Sequence, residues 1–134
     1  MEAVETETAV KIFAARNMPQ ASQAQRATRQ AAIQVALRAA ADMPLEVLRL
    51  CAHGVKNAAT VAAHSSRAAS ADVQLGVALL HTAFVGARSH LEGRMGTITD
   101  TTYITSVVDE IERLSEEATA RAQAAEDFLQ VPPA

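Results

Sequence analysis

The chain has 134 residues, 49% of them apolar but only 3% aromatic, so its core must come from close packing of small side chains. Twelve basic and fifteen acidic residues are interspersed and give a formal net charge of −3. This balance disfavours nucleic-acid binding, because no basic stripe is present that could neutralise phosphates.

The cysteine content and the N-terminal sequence indicate the cellular compartment of the protein. Cys51 is the only cysteine, which excludes a disulfide framework and fits a reducing environment. The acidic N-terminus lacks the charged and apolar regions of a signal peptide. No window of eighteen residues is both apolar and uncharged, so no membrane-spanning helix is predicted. We therefore expect a soluble, cytoplasmic protein.

The first half of the chain predicts long helices. Alanine, leucine, glutamate, glutamine and arginine dominate, without β-branched runs, which is typical of an all-α protein. A first helix is predicted over roughly 3–16, and it must end before Pro19. Ser22 and Gln25 match a capping box, so a second helix begins there and runs to about Asp42. Pro44 either begins a third helix or kinks one long helix.

The second half predicts two more helices. After a serine-rich break, Ser70 is a plausible N-cap for a helix that ends near Gly96. The last helix is predicted over roughly 101–129, with Asp100 or Thr99 as its cap, and residues 131–134 form a frayed tail. The apolar seam of this helix is predicted at Ile104, Val108, Ile111, Leu114, Ala118, Ala122, Ala125 and Leu129. The prediction is a single domain over 1–134, an all-α antiparallel bundle of four to five long helices. Their apolar faces exceed what one chain can cover, so we expect a homodimer.

The helix predicted over 70–96 carries the most informative polar residues. Its apolar stripe consists of Val73, Val77, Leu80, Phe84, Ala87 and Leu91. Asp72, His90 and Arg94 share another face with Gly76, Ala83 and Gly86, and this face is predicted to point inward, as in a binding site. The alternatives are a dipole-favoured carboxylate in the first turn, a structural histidine and an arginine that leaves the helix end toward solvent.

Other polar residues are weaker candidates. Glu5 points with Ala9 and Ile12, so it is either frayed at the terminus or an acid–base group. His53 and His64 share a helix face but lie about 16 Å apart along the axis, too far to bind one metal ion. No metal site is predicted. Cys51 lies on a core stripe and is interpreted as a small hydrophobic residue.

Several short motifs in order resemble the cyclodeaminase/cyclohydrolase family, which includes the cyclodeaminase half of formiminotransferase-cyclodeaminase and bacterial methenyltetrahydrofolate cyclohydrolases. The resemblance extends from Glu5 over nearly the whole chain. Its matching pieces are Met18-Pro19, Ala31 to Ala40, Met43-Pro44-Leu45, Ala71-Asp72-Val73-Gln74, Gly86-Ala87 and Ile98-Thr99-Asp100.

The resemblance implies a dimeric, all-helical protein that handles cyclic one-carbon folates. Asp72 matches the aspartate of the family's Ser-Asp pair, and Glu5 stands where the family usually has an aspartate. Ala71 replaces the serine of that pair, while His90 and Arg94 stand where the family typically has asparagines. The family's glycine-rich N-terminal segment, which contributes to the folate pocket, is absent from this sequence.

Two functions are compatible with these residues. The first is a diverged enzyme that makes or breaks a C–N bond in a cyclic amidine or iminium substrate, either a folate one-carbon derivative or a specialised metabolite. Its acid–base group is His90, Asp72 is the partner of that histidine or stabilises a cation, and Arg94 binds an anion near Gly86. A tetrahydrofolate derivative enters as substrate, and no cofactor is assigned. The second is a non-catalytic dimeric scaffold or ligand-binding module.

Overall fold

A computed structural model describes residues 2–130, which fold into four helices and one short 3₁₀ turn. The helices are α1 (Glu2–Arg16), α2 (Gln23–His64), α3 (Ser70–Met95) and α4 (Thr101–Leu129), and the 3₁₀ turn covers Arg67–Ala69. No strand occurs among these residues, so the prediction of an all-α bundle is confirmed. The predicted frayed tail, 131–134, lies outside the described residues.

Helix α2 is continuous over 42 residues. It begins at the predicted capping box: the Ser22 hydroxyl accepts from the Gln25 amide at 3.1 Å, and the Gln25 side chain accepts from the Ser22 amide at 3.1 Å. Pro44 lies buried inside the helix and does not end it. Of the two alternatives at this proline, one long helix is therefore correct and a separate third helix is wrong.

The caps of α3 and α4 differ in how well the sequence predicts them. Asp100 caps α4, because its carboxylate accepts a hydrogen bond from the Tyr103 amide at 3.1 Å. The predicted cap at Ser70 is wrong, since Ala69 occupies the N-cap position. The Ser70 hydroxyl instead donates to the Arg67 carbonyl at 2.9 Å, within the 3₁₀ turn that the sequence pattern did not predict.

Contacts between distant residues establish the directions of the helices. The Gln34 side chain, near the start of α2, donates to the Thr97 carbonyl at 3.3 Å and accepts from the Thr99 amide at 2.9 Å, just beyond the end of α3. Gly54, further along α2, faces Leu80 near the middle of α3. Helices α2 and α3 are therefore antiparallel, and α4 returns alongside α2, where Arg49 binds Glu110.

The core lies between α2, α3 and α4 and is built mainly of aliphatic side chains. From α3 it takes Val77, Phe84 and Leu91, which confirms the predicted apolar stripe of this helix. The α4 seam is confirmed at Ile111, Leu114, Ala118, Ala122 and Ala125. At its start, Val107 is buried in place of the predicted Val108, which is 37% exposed. The start of the seam is therefore rotated by one residue from the prediction.

One helical stretch, Arg67–Met95, is long and apolar enough to cross a membrane by length and composition, with a mean hydropathy of 1.3 over its most apolar window. Core helices of water-soluble proteins meet the same criterion. Here one side of α3 packs on α2 and α4, while only 11% of the apolar window is buried. Its composition therefore does not identify a membrane span, but it marks an apolar helix with an uncovered side.

Two valines on α2 provide a matched test of the core. Val55 is fully buried and Val35 is 58% exposed. We expect Val55→Ala to lower the free energy of unfolding by about 2 kcal/mol, because it removes buried methyl groups and leaves a cavity. Val35→Ala should change it by less than about 0.5 kcal/mol. Urea denaturation measures both, and equal effects would contradict the placement of the core.

A second prediction concerns the ion pair between α2 and α4. The Arg49 guanidinium binds both oxygens of the Glu110 carboxylate, at 2.6 and 2.9 Å. These hydrogen bonds hold the pKa of Glu110 below its ordinary value of 4.5. A lowered pKa stabilises the fold at pH values above the unfolded-state pKa, and this stability is lost as the pH falls through the folded-state pKa.

We therefore expect Arg49→Met to reduce stability at pH 7, with the difference from wild type shrinking as the pH drops below about 4.5. Urea midpoints measured at pH 7 and at low pH report this change. The control is Lys11→Met, whose exposed ion pair with Glu7 should contribute little at either pH. A wild-type advantage that stays constant at acidic pH would show that the ion pair is not its source.

Candidate functional site

A cavity of about 500 Å³ lies where α1 crosses the groove between α2 and α3. Helix α1 contributes one wall and the other two helices form the floor. The polar side chains on its surface are Glu5, Thr8, His90 and Arg94; the rest of the lining is apolar. A cavity of this size and composition is typical of a binding site for a small molecule.

The position of α1 depends on a small cluster separate from the main core. Ala15 packs there with Ile33 and Ala36 of α2. The Arg29 side chain also donates to the Arg16 carbonyl at 2.9 Å, which satisfies one of the free acceptors at the end of α1. These contacts place Glu5, about three turns before Ala15, over the cavity.

Pro44 is a buried residue of the cavity floor that alters the hydrogen bonding of α2. Proline has no amide hydrogen, so the Ala40 carbonyl lacks the donor that it would normally receive four residues later in a helix. Ala40 and Pro44 both line the cavity. Ala40, the residue whose carbonyl loses its usual helix donor, therefore belongs to the cavity floor.

Arg94 contains the one guanidinium atom of this site that is buried without a partner. Its Nε is inaccessible to solvent and makes no hydrogen bond to any described residue. A buried donor without a partner costs about 1–3 kcal/mol, so such groups usually meet a ligand or ordered water. Since Arg94 lines the cavity near the end of α3, it is a candidate group for binding an anion.

The structure brings together four of the five candidate residues from the sequence: Glu5, Gly86, His90 and Arg94 all line the cavity. The expectation that His90 points into the interior is wrong, because His90 and Gly86 are both exposed. They lie outside the buried stripe, on the side of α3 that faces the cavity. Helical periodicity correctly grouped them on one face, but no other helix of this chain covers that face fully.

Asp72 does not belong to the cavity within one chain. It is exposed in the first turn of α3 and is not part of the cavity lining. Eighteen residues separate it from His90, which corresponds to about 27 Å along a helix. The predicted partnership of Asp72 with His90 is therefore wrong within a single chain.

His53, His64 and Cys51 lie outside the cavity. His53 and His64 are exposed on the outer face of α2. Cys51 packs against the core, and burial raises the pKa of its thiol, which makes it a poor nucleophile. Across residues 2–130, no three histidine, cysteine or carboxylate side chains are arranged to hold a metal ion.

Periodicity alone did not identify the part of the cavity contributed by α2. Met43, Pro44 and Val47 line it, whereas the sequence indicates only a possible helix interruption at Pro44 and a family motif at Met43-Pro44-Leu45. The signal in the sequence that could have identified this part of the cavity is the proline inside a long helix. Such a proline distorts the helix backbone, and neighbouring groups must compensate for the lost hydrogen bond.

Comparisons with known proteins agree with this architecture. A family model described as formiminotransferase-cyclodeaminase matches residues 5–113. The chain is also similar to a crystal structure of formiminotetrahydrofolate cyclodeaminase from Thermotoga maritima, with a TM-score of 0.78 and 19% sequence identity. The similarity covers 94% of this chain but 59% of that one. Among curated proteins, no sequence matches.

The unpartnered Nε of Arg94 leads to a prediction about stability. We expect Arg94→Met to raise the free energy of unfolding of the ligand-free protein by about 1 kcal/mol, because methionine keeps the apolar stem and removes the unsatisfied donor. Arg88→Met is the control on the same helix and should be destabilising, since Arg88 bonds Glu92 and Ser115. Urea denaturation measures both. Destabilisation by Arg94→Met would indicate that Arg94 serves the fold.

Proposed function

Since the chain belongs to the formiminotransferase-cyclodeaminase family, we propose that it makes or breaks a carbon–nitrogen bond in a small cyclic amidine or iminium substrate. A one-carbon derivative of tetrahydrofolate is the first substrate class to consider. One observation carries the proposal: Glu5 comes from the start of α1 and His90 and Arg94 from the end of α3, yet all three line one cavity.

We assign the acid–base chemistry to His90 and Glu5. A nitrogen that leaves an amidine carbon must gain a proton, and the nucleophile that replaces it must lose one. Imidazole exchanges protons near neutral pH, so His90 is the proposed proton donor to the departing nitrogen. Glu5, on the facing wall, is the proposed acceptor of the proton from the attacking nitrogen or water. A proton donor and a proton acceptor on facing walls of the cavity suit this reaction.

Arg94 is proposed to orient the substrate. Its guanidinium presents donors in a fixed plane that matches carboxylate geometry. Its Nε makes no bond within residues 2–130, so a substrate anion would satisfy a donor that is otherwise unpaired. Folate derivatives carry carboxylates at one end, which fits an arginine at one end of the cavity.

The cavity floor suits a cationic ring. An amidinium or iminium ion spreads its charge over several atoms, so it tolerates the apolar side chains of Met43 and Val47 better than a compact ion does. The Ala40 carbonyl, deprived of its helix donor by Pro44, offers an acceptor to a ring N–H. Together with His90, it would hold the ring by its polar edge.

A non-catalytic ligand-binding module is the second candidate function. Two observations favour it: His90 is exposed and makes no hydrogen bond to another described residue that would orient its ring, and Ala71 stands before Asp72 in place of a hydroxyl. Such a module would bind the same class of substrate through Arg94 without turning it over.

Single substitutions distinguish these two functions when turnover is measured with methenyl-tetrahydrofolate and formimino-tetrahydrofolate as substrates. We expect His90→Ala to lower kcat by about 100- to 10,000-fold, because it removes the proton donor. His53→Ala is the control, since His53 is exposed on α2 and away from the cavity. Stopped-flow or steady-state absorbance at the substrate's band measures turnover.

Arg94→Met should mainly raise KM, because it removes a binding contact that is present in both the bound substrate and the transition state. Turnover by His90→Ala equal to wild type would overturn the enzymatic assignment. Saturable binding by calorimetry without turnover, lost in Arg94→Met, would instead establish the binding module.

A further inference from the structure

Thr8 is a half-buried residue on the α1 wall of the cavity, and its hydroxyl makes no hydrogen bond to any residue within 2–130. Three other threonines inside helices behave differently. The hydroxyls of Thr6, Thr60 and Thr82 each donate to the carbonyl four residues earlier, at 2.9, 3.3 and 2.8 Å. Such a bond is a common way for a helical threonine to satisfy its hydroxyl. Thr8 lacks this bond, so its hydroxyl is left for another partner.

The Thr8 hydroxyl is also accessible from the cavity. Within 2–130, the buried side-chain polar atoms without a partner are the Arg94 Nε and the Tyr103 Oη, and the Thr8 Oγ1 is not one of them. An unpartnered hydroxyl that is not buried is reached by solvent. Because Thr8 itself lines the cavity, a water molecule that enters the cavity can form a hydrogen bond with this hydroxyl.

Glu5 lies one turn before Thr8 on the same wall, and its carboxylate is also free of ion pairs within 2–130. The lysine of α1, Lys11, pairs with Glu7 instead, at 2.7 Å. Side chains three residues apart on a helix are neighbours, with about 5–6 Å between their Cβ atoms. A water molecule bonded to two oxygens holds them about 4.5 Å apart. Glu5 and Thr8 are therefore spaced to hold one water molecule between them.

The rest of the α1 wall is apolar, which restricts an ordered water to this place. Ala9 and Ile12 are the other residues that α1 contributes to the cavity lining. An ordered water needs two to four polar partners, and the polar side chains on this wall are Glu5 and Thr8. The carboxylate accepts a hydrogen bond from the water, while the hydroxyl donates one to it.

We propose that Glu5 and Thr8 hold the water molecule that attacks the substrate carbon, so that the reaction in this cavity is hydrolysis. The water donates one hydrogen to Glu5 and accepts the hydroxyl hydrogen of Thr8. Its second lone pair is then directed at the carbon. Thr8 is a positioning residue, because it orients the nucleophile and exchanges no proton with the substrate. This inference rests on the proposed function, since it selects water rather than nitrogen as the nucleophile.

The proposed step balances in atoms and charge. The water oxygen forms a bond to the carbon of the cationic C=N group, whose π electrons move to nitrogen, and one water proton passes to Glu5. The neutral adduct carries a hydroxyl group. Its C–N bond breaks as the departing nitrogen takes a proton from His90, and the hydroxyl proton leaves to solvent as the carbonyl forms. Glu5 then loses its proton and His90 regains one, so each turnover releases one proton.

Thr6 provides a matched control for substitutions of Thr8. It is on the same helix, is exposed and does not line the cavity. Thr8→Val keeps the branched shape and removes the hydroxyl, so we expect kcat for hydrolysis of methenyl-tetrahydrofolate to fall about tenfold with KM unchanged. Thr8→Ser retains a hydroxyl and should stay within about threefold of wild type. Thr6→Val should equal wild type. Steady-state absorbance measures turnover, and circular dichroism confirms that each variant is folded.

Formimino-tetrahydrofolate separates this inference from the proposed function. Its loss of ammonia closes a ring through a nitrogen of the substrate and consumes no water, whereas opening the methenyl ring consumes one water molecule. We therefore expect Thr8→Val to slow the hydrolysis and to leave the loss of ammonia unchanged. His90→Ala should slow both reactions, because each requires a proton on the departing nitrogen.

Each other outcome contradicts a defined part of the inference. Equal kcat values for Thr8→Val and wild type, or equal losses in Thr8→Val and Thr8→Ser, would exclude the hydroxyl as the group that positions water. Equal slowing of both reactions by Thr8→Val would assign Thr8 a structural role. Wild type that releases ammonia without hydrolysing the methenyl substrate would overturn the inference and leave the proposed function standing. Wild type that turns over neither substrate would overturn both.

Discussion

All other helices of the described chain are positioned by α2. This helix runs without interruption for 42 residues, which corresponds to about 63 Å. Its first half supports α1, its length supports α3, and Arg49 joins it to α4. Because α1 has 15 residues, it covers only part of the groove between α2 and α3. The cavity lies under that part, and beyond it the surface stays apolar and uncovered.

The passage of α2 through Pro44 is compatible with this role. The proline ring is buried at the cavity, and the residues around it belong to the main core. Packing on both sides therefore offsets the loss of one helix hydrogen bond, which in an isolated helix costs about 3 kcal/mol. The fold and the candidate site are connected here, because Ala40, whose carbonyl loses its usual helix donor to Pro44, is a lining residue of the cavity.

Local signals in the sequence predicted most of the helices. The capping box at Ser22 and Gln25 and the cap at Asp100 depend on residues close in the chain, and both are confirmed. Pro44 allowed two outcomes, because local geometry alone does not say whether tertiary packing will stabilise a helix through proline. The cap at Ser70 failed because a 3₁₀ turn engages its hydroxyl.

The sequence predicted which residues form the candidate site better than it predicted where those residues lie in the fold. Periodicity placed Gly86, His90 and Arg94 on one face, and Glu5 with the apolar side of α1, and all four reach one cavity. It could not show that this face of α3 is exposed, because periodicity states which residues share a direction and not what lies in that direction. Asp72 shares the direction but not the depth along the helix, so one chain leaves it outside.

The small contact area of α1 has a thermodynamic consequence. Its cluster with α2 consists of Ala15, Ile33 and Ala36, while Val10 and Phe13 stay exposed. Helix α1 is thus the element whose detachment costs least, and yet it carries Glu5 and Thr8 to the cavity. When a ligand contacts both walls of the cavity, part of its binding free energy is used to order α1. The bound ligand also protects the amides of α1 from hydrogen exchange. Affinity for the ligand and order in α1 are then two measures of one linked equilibrium.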